Sequence, residues 1–348
     1  MLKEILEESA AVKNAMKSSG DVQKVSKMIK NHDKIYFVAC GTAYHAALAA
    51  RYLLQEYGIL SNAEVASEFR YSTVKGVGKD TVLVLVSQSG ETADTIAAAK
   101  EAKRRGAKII SIVNVVGSTL TRISDAVLYT HSGPEIAVAS TKAYLGQLTL
   151  LILLSLELLK DKKKISEKDL MNKINELKSI PSRIDLILDN REKIKEVSGS
   201  LFNVKDYFYI ARRLNFPTAL EGALKLKEIS YLHAEAYPAG ELKHGPLALM
   251  EDKVCVIAIN PPDDLHQKMA SNIQEARTRG SRILELFMGK TFKIENGTDI
   301  RVTIPETDPM LSPLLFIVPL HLLAYYIAVE RGLDIDKPRN LAKSVTVE

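Results

Sequence analysis

The chain has 348 residues, of which 46% are hydrophobic and 26% charged, and its net charge is +5. This composition is typical of a globular protein with room for two domains of ordinary size. Lysine and arginine alternate with acidic residues along the chain, which indicates a solvated surface and argues against a nucleic-acid-binding protein. Cys40 and Cys255 each lie at or inside an apolar strand pattern, so we expect buried thiols in a reducing compartment rather than a disulfide.

The N-terminal residues 1–30 predict a helical arm, because they are charged and periodic and do not resemble a signal peptide. The most apolar run, residues 148–159, is too short to cross a bilayer and contains Glu157. We therefore expect a buried helix there, no membrane association, and a cytoplasmic location.

Two parts of the chain repeat the same succession of elements at an offset of about 172 residues. Lys34–Ala39 predicts a strand that is followed by a helix over residues 42–57. Asp206–Ala211 predicts a strand that is followed by a helix over residues 218–230. The remaining predicted pairs are segments 63–71 and 234–244, strands 81–86 and 253–259, strands 108–113 and 282–287, and apolar helices 143–159 and 313–331.

Alternating strands and helices predict an α/β fold in which each half forms a doubly wound, flavodoxin-like parallel sheet. The expected organisation is an arm at 1–30, a first domain at 31–165, a helical connector at 166–200, a second domain at 201–332 and an extended tail at 333–348. In such sheets ligands bind at the carboxyl ends of the strands.

The loop at residues 87–92 (SQSGET) joins a buried strand to a predicted helix. Free backbone N–H groups, the positive end of the helix and several hydroxyls favour a phosphate there. The alternative is an ordinary helix N-cap, for which one hydroxyl would suffice. The corresponding loop of the second half, residues 260–264, contains two prolines and two aspartates. We therefore expect one anion site in the first half and none in the second.

The second half is rich in ionisable groups. Glu221, Lys225 and Glu228 share one face of a predicted helix that starts at the carboxyl end of a strand. They form either a reactive cluster or an exposed stripe of salt bridges. His244, in a loop bounded by glycines, is either an acid–base group or a surface histidine.

Several motifs together resemble the isomerase module of the glucosamine-6-phosphate synthases, the glutamine:fructose-6-phosphate aminotransferases. The resemblance covers essentially the whole chain and implies two sugar-isomerase (SIS) domains. The motifs are CGT at 40–42, EFRY at 68–71, SQSGETADT at 87–95, VASTKA at 138–143, residues 219–231, GELKHGP at 240–246 and RNLAKSVTVE at 339–348.

The resemblance implies a role for each matching position. It makes Lys343 the Schiff-base lysine, Glu228 the base for proton transfer between C1 and C2, and His244 the ring-opening group, supplied by a neighbouring subunit of a homodimer. Lys225 and Glu221 become a supporting relay. It implies no cofactor and no metal. The implied phosphate and sugar contacts are Thr42, Ser87, Gln88, Ser89, Thr92, Val138, Ser140 and Ala342.

The implied reaction converts fructose-6-phosphate and ammonia to glucosamine-6-phosphate, or interconverts fructose-6-phosphate and glucose-6-phosphate. Two features depart from the family pattern: Ala43 replaces a usual serine, and no N-terminal glutaminase domain is expected. The chain is then either an excised module or a free-standing protein that takes ammonia from solution or from a separate glutaminase. The alternatives are a glucosamine-6-phosphate deaminase and a non-catalytic sugar-phosphate sensor, although Glu228, His244 and Lys343 together argue against a sensor.

Overall fold

The computed structural model describes residues 1–289 and 298–347. The chain divides into two compact units, each built from segments that are distant in sequence. The first unit contains Glu7–Ile136, Ser140–Pro181 and the residues from Ala342 onward. The second contains Met1–Leu6, Ala137–Ala139 and Ser182–Leu341. The last residues of the chain therefore belong to the same unit as the N-terminal sheet.

Helices and strands alternate along most of the chain. The helices are α1 (Leu2–Leu6), α2 (Glu8–Ala15), α3 (Ser19–Ile29), α4 (Gly41–Glu56), α5 (Ala66–Phe69), α6 (Ala93–Arg104), α7 (Thr119–Ile123), α8 (Lys142–Asp161), α9 (Glu167–Asp189), α10 (Arg191–Leu201), α11 (Phe216–Ser230), α12 (His266–Arg277) and α13 (Ser312–Glu330). The strands are β1 (Lys34–Ala39), β2 (Asn62–Val65), β3 (Thr81–Ser87), β4 (Lys108–Val113), β5 (Ala126–Tyr129), β6 (Asp206–Ala211), β7 (His233–Pro238), β8 (Val254–Asn260), β9 (Arg282–Met288) and β10 (Ile300–Ile304).

The first unit contains a parallel sheet of five strands in the order β2-β1-β3-β4-β5. Every residue of the central strand β3 is buried, as expected for a strand covered on both faces. On one face, Leu83 and Leu85 pack against Ala98 and Ala102 of α6. The strand order reverses between β1 and β3, which places the loops after these two strands at the position where doubly wound sheets bind ligands.

The second unit contains a second parallel sheet with the order β10-β9-β8-β6-β7. Read from β7, this is the order of the first sheet, because β6 and β8 take the places of β1 and β3. The predicted duplication of a doubly wound α/β fold is confirmed. The N-terminal arm is also helical, as predicted: α2 and α3 pack on α8, and α1 packs on α13.

Within residues 1–289 and 298–347, two helices are long and apolar enough to cross a membrane on length and composition alone. The most apolar windows of α8 and of the Pro309–Glu330 stretch are 100% and 89% buried within the fold. Burial by protein is what core helices require. The prediction of a buried helix at residues 148–159 is confirmed, but the length argument was wrong because the helix has 20 residues.

The two cysteines are free, and only one of them is fully buried. Cys255 lies inside β8, where burial raises the pKa of its thiol to about 12. Cys40 is partly exposed, because it is the residue that follows β1 at the sheet edge. The expectation of two buried thiols is therefore wrong for Cys40.

Candidate active site

The loop after β3 is a tight turn built by its own hydroxyl groups. The N–H of Gly90 donates to Ser87 Oγ at 3.0 Å, and Ser87 Oγ lies 3.1 Å from Thr92 Oγ1. The N–H of Glu91 donates to Ser89 Oγ at 3.2 Å. Thr92, which immediately precedes α6, makes no side-chain capping hydrogen bond. The simple N-cap interpretation of this loop is therefore wrong.

Gly90 allows the turn to form. Its φ is +68°, and a Cβ at this position would lie 2.1 Å from Ser118 Oγ. Only glycine combines that conformation with so close a neighbour. The N-termini of α4 and α6 follow the neighbouring strands β1 and β3 at the same sheet edge, so the positive ends of both helices favour an anion there. Thr42 and Gln88 are half-buried at this edge.

The C-terminal tail lies against this loop in the first unit. Ser344 Oγ is 3.3 Å from Ser89 Oγ, and the C=O of Val345 accepts a hydrogen bond from the N–H of Ala93 at 3.1 Å. These contacts place Lys343, the predicted Schiff-base lysine, in the same unit as the predicted phosphate loop.

Lys343 is paired with a carboxylate that the sequence analysis did not select. Its Nζ lies 2.5 Å from Oε2 of Glu135, whose side chain is 0% exposed. Glu135 also accepts hydrogen bonds from Ser140 Oγ at 2.8 Å and from the N–H groups of Thr141 and Ala143. Burial disfavours the carboxylate, but the Lys343 charge and these hydrogen bonds outweigh it and lower the pKa of Glu135.

A sequence signal for Glu135 does exist. It is the only acidic residue between Asp125 and Glu157, and residues 132–141 around it are otherwise apolar or small and polar. An isolated carboxylate in such a run is costly to bury without a partner. Its partner, however, is 208 residues away, so the pattern points to a buried charge and not to Lys343.

The second unit holds the predicted ionisable cluster on α11. Lys225 Nζ lies 2.5 Å from Glu228 Oε2 and 3.4 Å from Glu221 Oε1. The side chains of Lys225 and Glu221 are 1% and 0% exposed, whereas that of Glu228 is 23% exposed. The alternative of an exposed stripe of salt bridges is therefore wrong. The lysine bridges two carboxylates, and only Glu228 has access to solvent.

The other predicted site residues are more exposed. His244 ends the short 3-10 helix Ala239–His244 and is exposed. Val138, in the second unit, is half-buried, and its N–H donates to the C=O of Asp336 at 3.1 Å. Ala342 is exposed in the tail.

In the second sheet, the loops after β6 and β8 correspond to those after β1 and β3 in the first, and they are joined by an ion pair. Arg213, which follows β6, binds the carboxylate of Asp264, which follows β8, through both guanidinium nitrogens at 2.8 and 3.0 Å. The aspartate thus takes up positive charge at the edge where a phosphate would need it. The expectation of one anion site in the first half and none in the second stays a prediction.

Comparisons with known proteins identify relatives that share this architecture. The SIS-domain family model matches residues 28–156 and 200–331. A glutamine–fructose-6-phosphate aminotransferase (isomerizing) from Thermococcus kodakarensis is 51% identical over the whole chain, which spans 58% of that relative's length.

Two solved structures have the same fold along nearly their entire length. The C-terminal domain of glucosamine-fructose-6-phosphate aminotransferase from Francisella tularensis is 36% identical, with a TM-score of 0.90 and coverage of 97% of this chain and 98% of that one. Glucosamine-6-phosphate deaminase from Thermotoga maritima is 25% identical, with a TM-score of 0.76 and coverage of 99% and 98%.

The two sheets are duplicated, the tail returns to the loop at residues 87–92, and the sequence identity exceeds one third across an entire solved domain. The chain is therefore a double SIS-domain protein of the family formed by the C-terminal isomerase domains of glucosamine-fructose-6-phosphate aminotransferases.

Proposed function

We propose that the chain converts fructose-6-phosphate and ammonia to glucosamine-6-phosphate through a Schiff base on Lys343. The observation that carries this proposal is the position of Lys343 in the first unit, 2.5 Å from Glu135, on a tail whose next residue contacts Ser89 of the hydroxyl loop. A sugar anchored there by its phosphate would present its carbonyl carbon to an amine held on the same unit.

The site residues have separate tasks in this proposal. Ser87, Gln88, Ser89 and Thr92 bind the phosphate through hydroxyl, amide and backbone groups at the start of α6. Sugar contacts come from Thr42, Val138, Ser140 and Ala342. The residues 31–165 thus form the phosphate-binding domain, and the tail at 333–348 brings the lysine.

The domain at residues 201–332 supplies the acid–base groups. Glu228 moves the proton between C1 and C2, because it is the solvent-accessible carboxylate of the α11 cluster. Lys225 holds Glu228 in position from inside the fold, and Glu221 is the second carboxylate that Lys225 contacts. The exposed His244 opens the sugar ring in the site of a partner subunit, so the active form is a homodimer. The nitrogen comes as ammonia from solution or from a separate glutaminase, in the cytoplasm.

A rate comparison tests the proposed reaction. Glucosamine-6-phosphate formation is measured from fructose-6-phosphate with ammonium, with glutamine, and with neither nitrogen source. We expect synthesis with ammonium, and no product without nitrogen. Borohydride added with fructose-6-phosphate should inactivate the protein by a covalent adduct at Lys343, and Lys343→Ala should prevent the adduct. Absence of both product and adduct would reject the proposal.

A second candidate is the reverse reaction, deamination of glucosamine-6-phosphate. It is favoured by the 25% identity and near-complete coverage shared with the structure named as the Thermotoga deaminase. The same assay started from glucosamine-6-phosphate distinguishes the two. Release of ammonia that is faster than synthesis at matched, saturating substrate concentrations would assign the deaminase direction.

A further inference from the structure

Hydrogen bonds hold the carboxyl group of Glu135 beside Nζ of Lys343. Its side chain is fully buried, whereas that of Lys343 is 26% exposed. Oε1 accepts the N–H groups of Thr141 at 2.9 Å and Ala143 at 3.1 Å, at the start of α8. Oε2 accepts Ser140 Oγ at 2.8 Å and Lys343 Nζ at 2.5 Å. One oxygen thus fixes the carboxyl group to the backbone, and the other contacts the lysine.

Because Oε1 binds the backbone and Oε2 contacts the lysine, Oε2 can exchange a proton while the carboxyl group stays in place. The two backbone donors on Oε1 do not change when a proton moves between Oε2 and Nζ. The neighbouring charged groups have contacts of their own: Lys142 is bound to Glu7 at 2.6 Å, and Oε1 of Glu4 accepts the N–H of Ala137 at 3.2 Å. Lys142 is therefore paired with Glu7, and the cation paired with Glu135 is Lys343.

A lysine in this ion pair is an ammonium, which has no lone pair and cannot attack a carbonyl carbon. One proton must leave Nζ before the carbon–nitrogen bond forms, and the departing oxygen needs one further proton besides the one that it receives from nitrogen. We propose that Glu135 performs both transfers: it accepts a proton from the Lys343 ammonium and delivers it to the oxygen that leaves C2 of the ketose. This inference rests on the proposed Schiff base.

The step balances in atoms and charge. Lys343 gives one proton to Glu135, and the neutral amine attacks the C2 carbonyl, so that an N–C bond forms and the carbonyl π electrons move to oxygen. That oxygen receives one proton from nitrogen and one from Glu135, and it leaves as water with the electrons of the C–O bond. The products are a protonated Schiff base and the Glu135 carboxylate, which remains as its counter-ion.

The competing explanation is that Glu135 only stabilises the lysine's charge. The two explanations predict opposite effects of Glu135→Gln. The glutamine keeps a carbonyl oxygen for the N–H groups of Thr141 and Ala143 but has no proton-accepting carboxylate. A mere counter-ion holds the amine protonated, so its loss would increase the free amine and speed adduct formation. Loss of a proton-transfer group would slow it.

The test is the first-order rate of borohydride-trapped adduct at saturating fructose-6-phosphate between pH 6 and 9, for wild type, Glu135→Gln and Glu135→Asp. We expect Glu135→Gln to be slower at pH 7 by about 100-fold or more. Its rate should increase with pH more steeply than that of wild type, because hydroxide must then take the proton that Glu135 no longer accepts. Glu135→Asp should be slower than wild type but retain the wild-type pH profile.

A Glu135→Gln rate equal to or above wild type at pH 7 would overturn the inference. If that variant does not fold, a wild-type rate in Glu135→Asp would overturn it instead. Sorbitol-6-phosphate, which has the phosphate but no carbonyl, serves as the binding control and should bind all three proteins equally. Failure of the proposed function is distinguishable, because wild type itself would then give no adduct.

Discussion

Ser344 of the C-terminal tail lies with its Oγ 3.3 Å from the Oγ of Ser89 in the turn after β3. Ser89 Oγ already accepts the N–H of Glu91, so the two hydroxyls and the start of α6 form one connected group. A phosphate bound at this sheet edge would contact both the Ser344 hydroxyl of the tail and the start of α6. Phosphate binding and tail position are therefore expected to depend on each other.

Removal of the Ser89 hydroxyl should weaken binding of phosphorylated sugars. A hydrogen bond to a charged group is worth about 1.5–3 kcal/mol, which corresponds to a KM for fructose-6-phosphate about 10- to 150-fold higher in Ser89→Ala. Steady-state kinetics measure the change. Ser166→Ala, an exposed serine at the start of α9, is the matched control and should behave as wild type. An unaltered KM in Ser89→Ala would rule out this serine as a phosphate ligand.

Gly90→Ala should distort the turn and destabilise the first unit. The new methyl group would meet Ser118 Oγ at 2.1 Å, in a backbone with φ +68°. Left-handed backbone and overpacking together cost about 2–4 kcal/mol. Urea denaturation followed by circular dichroism measures the loss. Gly76→Ala is the control, because a Cβ there has nothing within 4 Å. Equal stability of the two variants would contradict the expectation.

The α11 cluster can be separated into structural and chemical contributions. Lys225→Met removes the cation beside the fully buried Glu221, which should cost about 3–5 kcal/mol of stability. The double variant Lys225→Met, Glu221→Gln removes the buried charges together and should regain part of that stability while remaining inactive. Denaturation and isomerisation rates are measured on the same preparations. Recovery of activity with stability would show that Lys225 acts only through folding.

The sequence predicted the architecture well because local patterns specify it. β1 and β6 have the predicted bounds, since each is a continuous apolar run with a charged residue at its start. α11 begins at Phe216, two residues earlier than expected, because Pro217 is tolerated in the first turn of a helix. The role of Glu135 could not be predicted in this way, since the partner of a buried carboxylate depends on where a distant tail returns.

Stability should depend on the ionisation of Glu135 in a defined pH range. The folded protein lowers the pKa of this carboxyl below its ordinary value of 4.5. Its contribution is therefore fully present above pH 4.5 and is lost as the pH falls through the lowered pKa. Glu135→Gln, which does not titrate, should be less stable than wild type at pH 7 by about 1–3 kcal/mol.

Calorimetric melting of wild type and Glu135→Gln from pH 7 down to pH 3 measures this effect. The difference in melting temperature should stay constant down to about pH 4.5 and narrow below it. A difference that widens in acid would mean that Glu135 is stabilised in its protonated form.

The shared-site prediction concerns Glu228 and the exposed His244. If His244 serves the partner's site, Glu228→Gln and His244→Ala chains that are inactive alone should regain activity after mixing and subunit exchange. Random pairing would restore about one quarter of the wild-type sites, because half the dimers are mixed and each mixed dimer has one intact site. Mixed dimers, identified by different affinity tags, that remain inactive would locate both residues in one chain's site.

The pairing of Glu135 with Lys343 has a consequence for synthesis on the ribosome. The lysine is made 208 residues after the glutamate, which is roughly 10 to 40 s later at ordinary translation rates. During that time the first sheet can form without its last cation. The hydroxyl of Ser140 and the N–H groups of Thr141 and Ala143 are available much sooner, so the nascent chain can shelter the carboxylate until the tail arrives. Lys343 then completes the ion pair that the first sheet lacked until that moment.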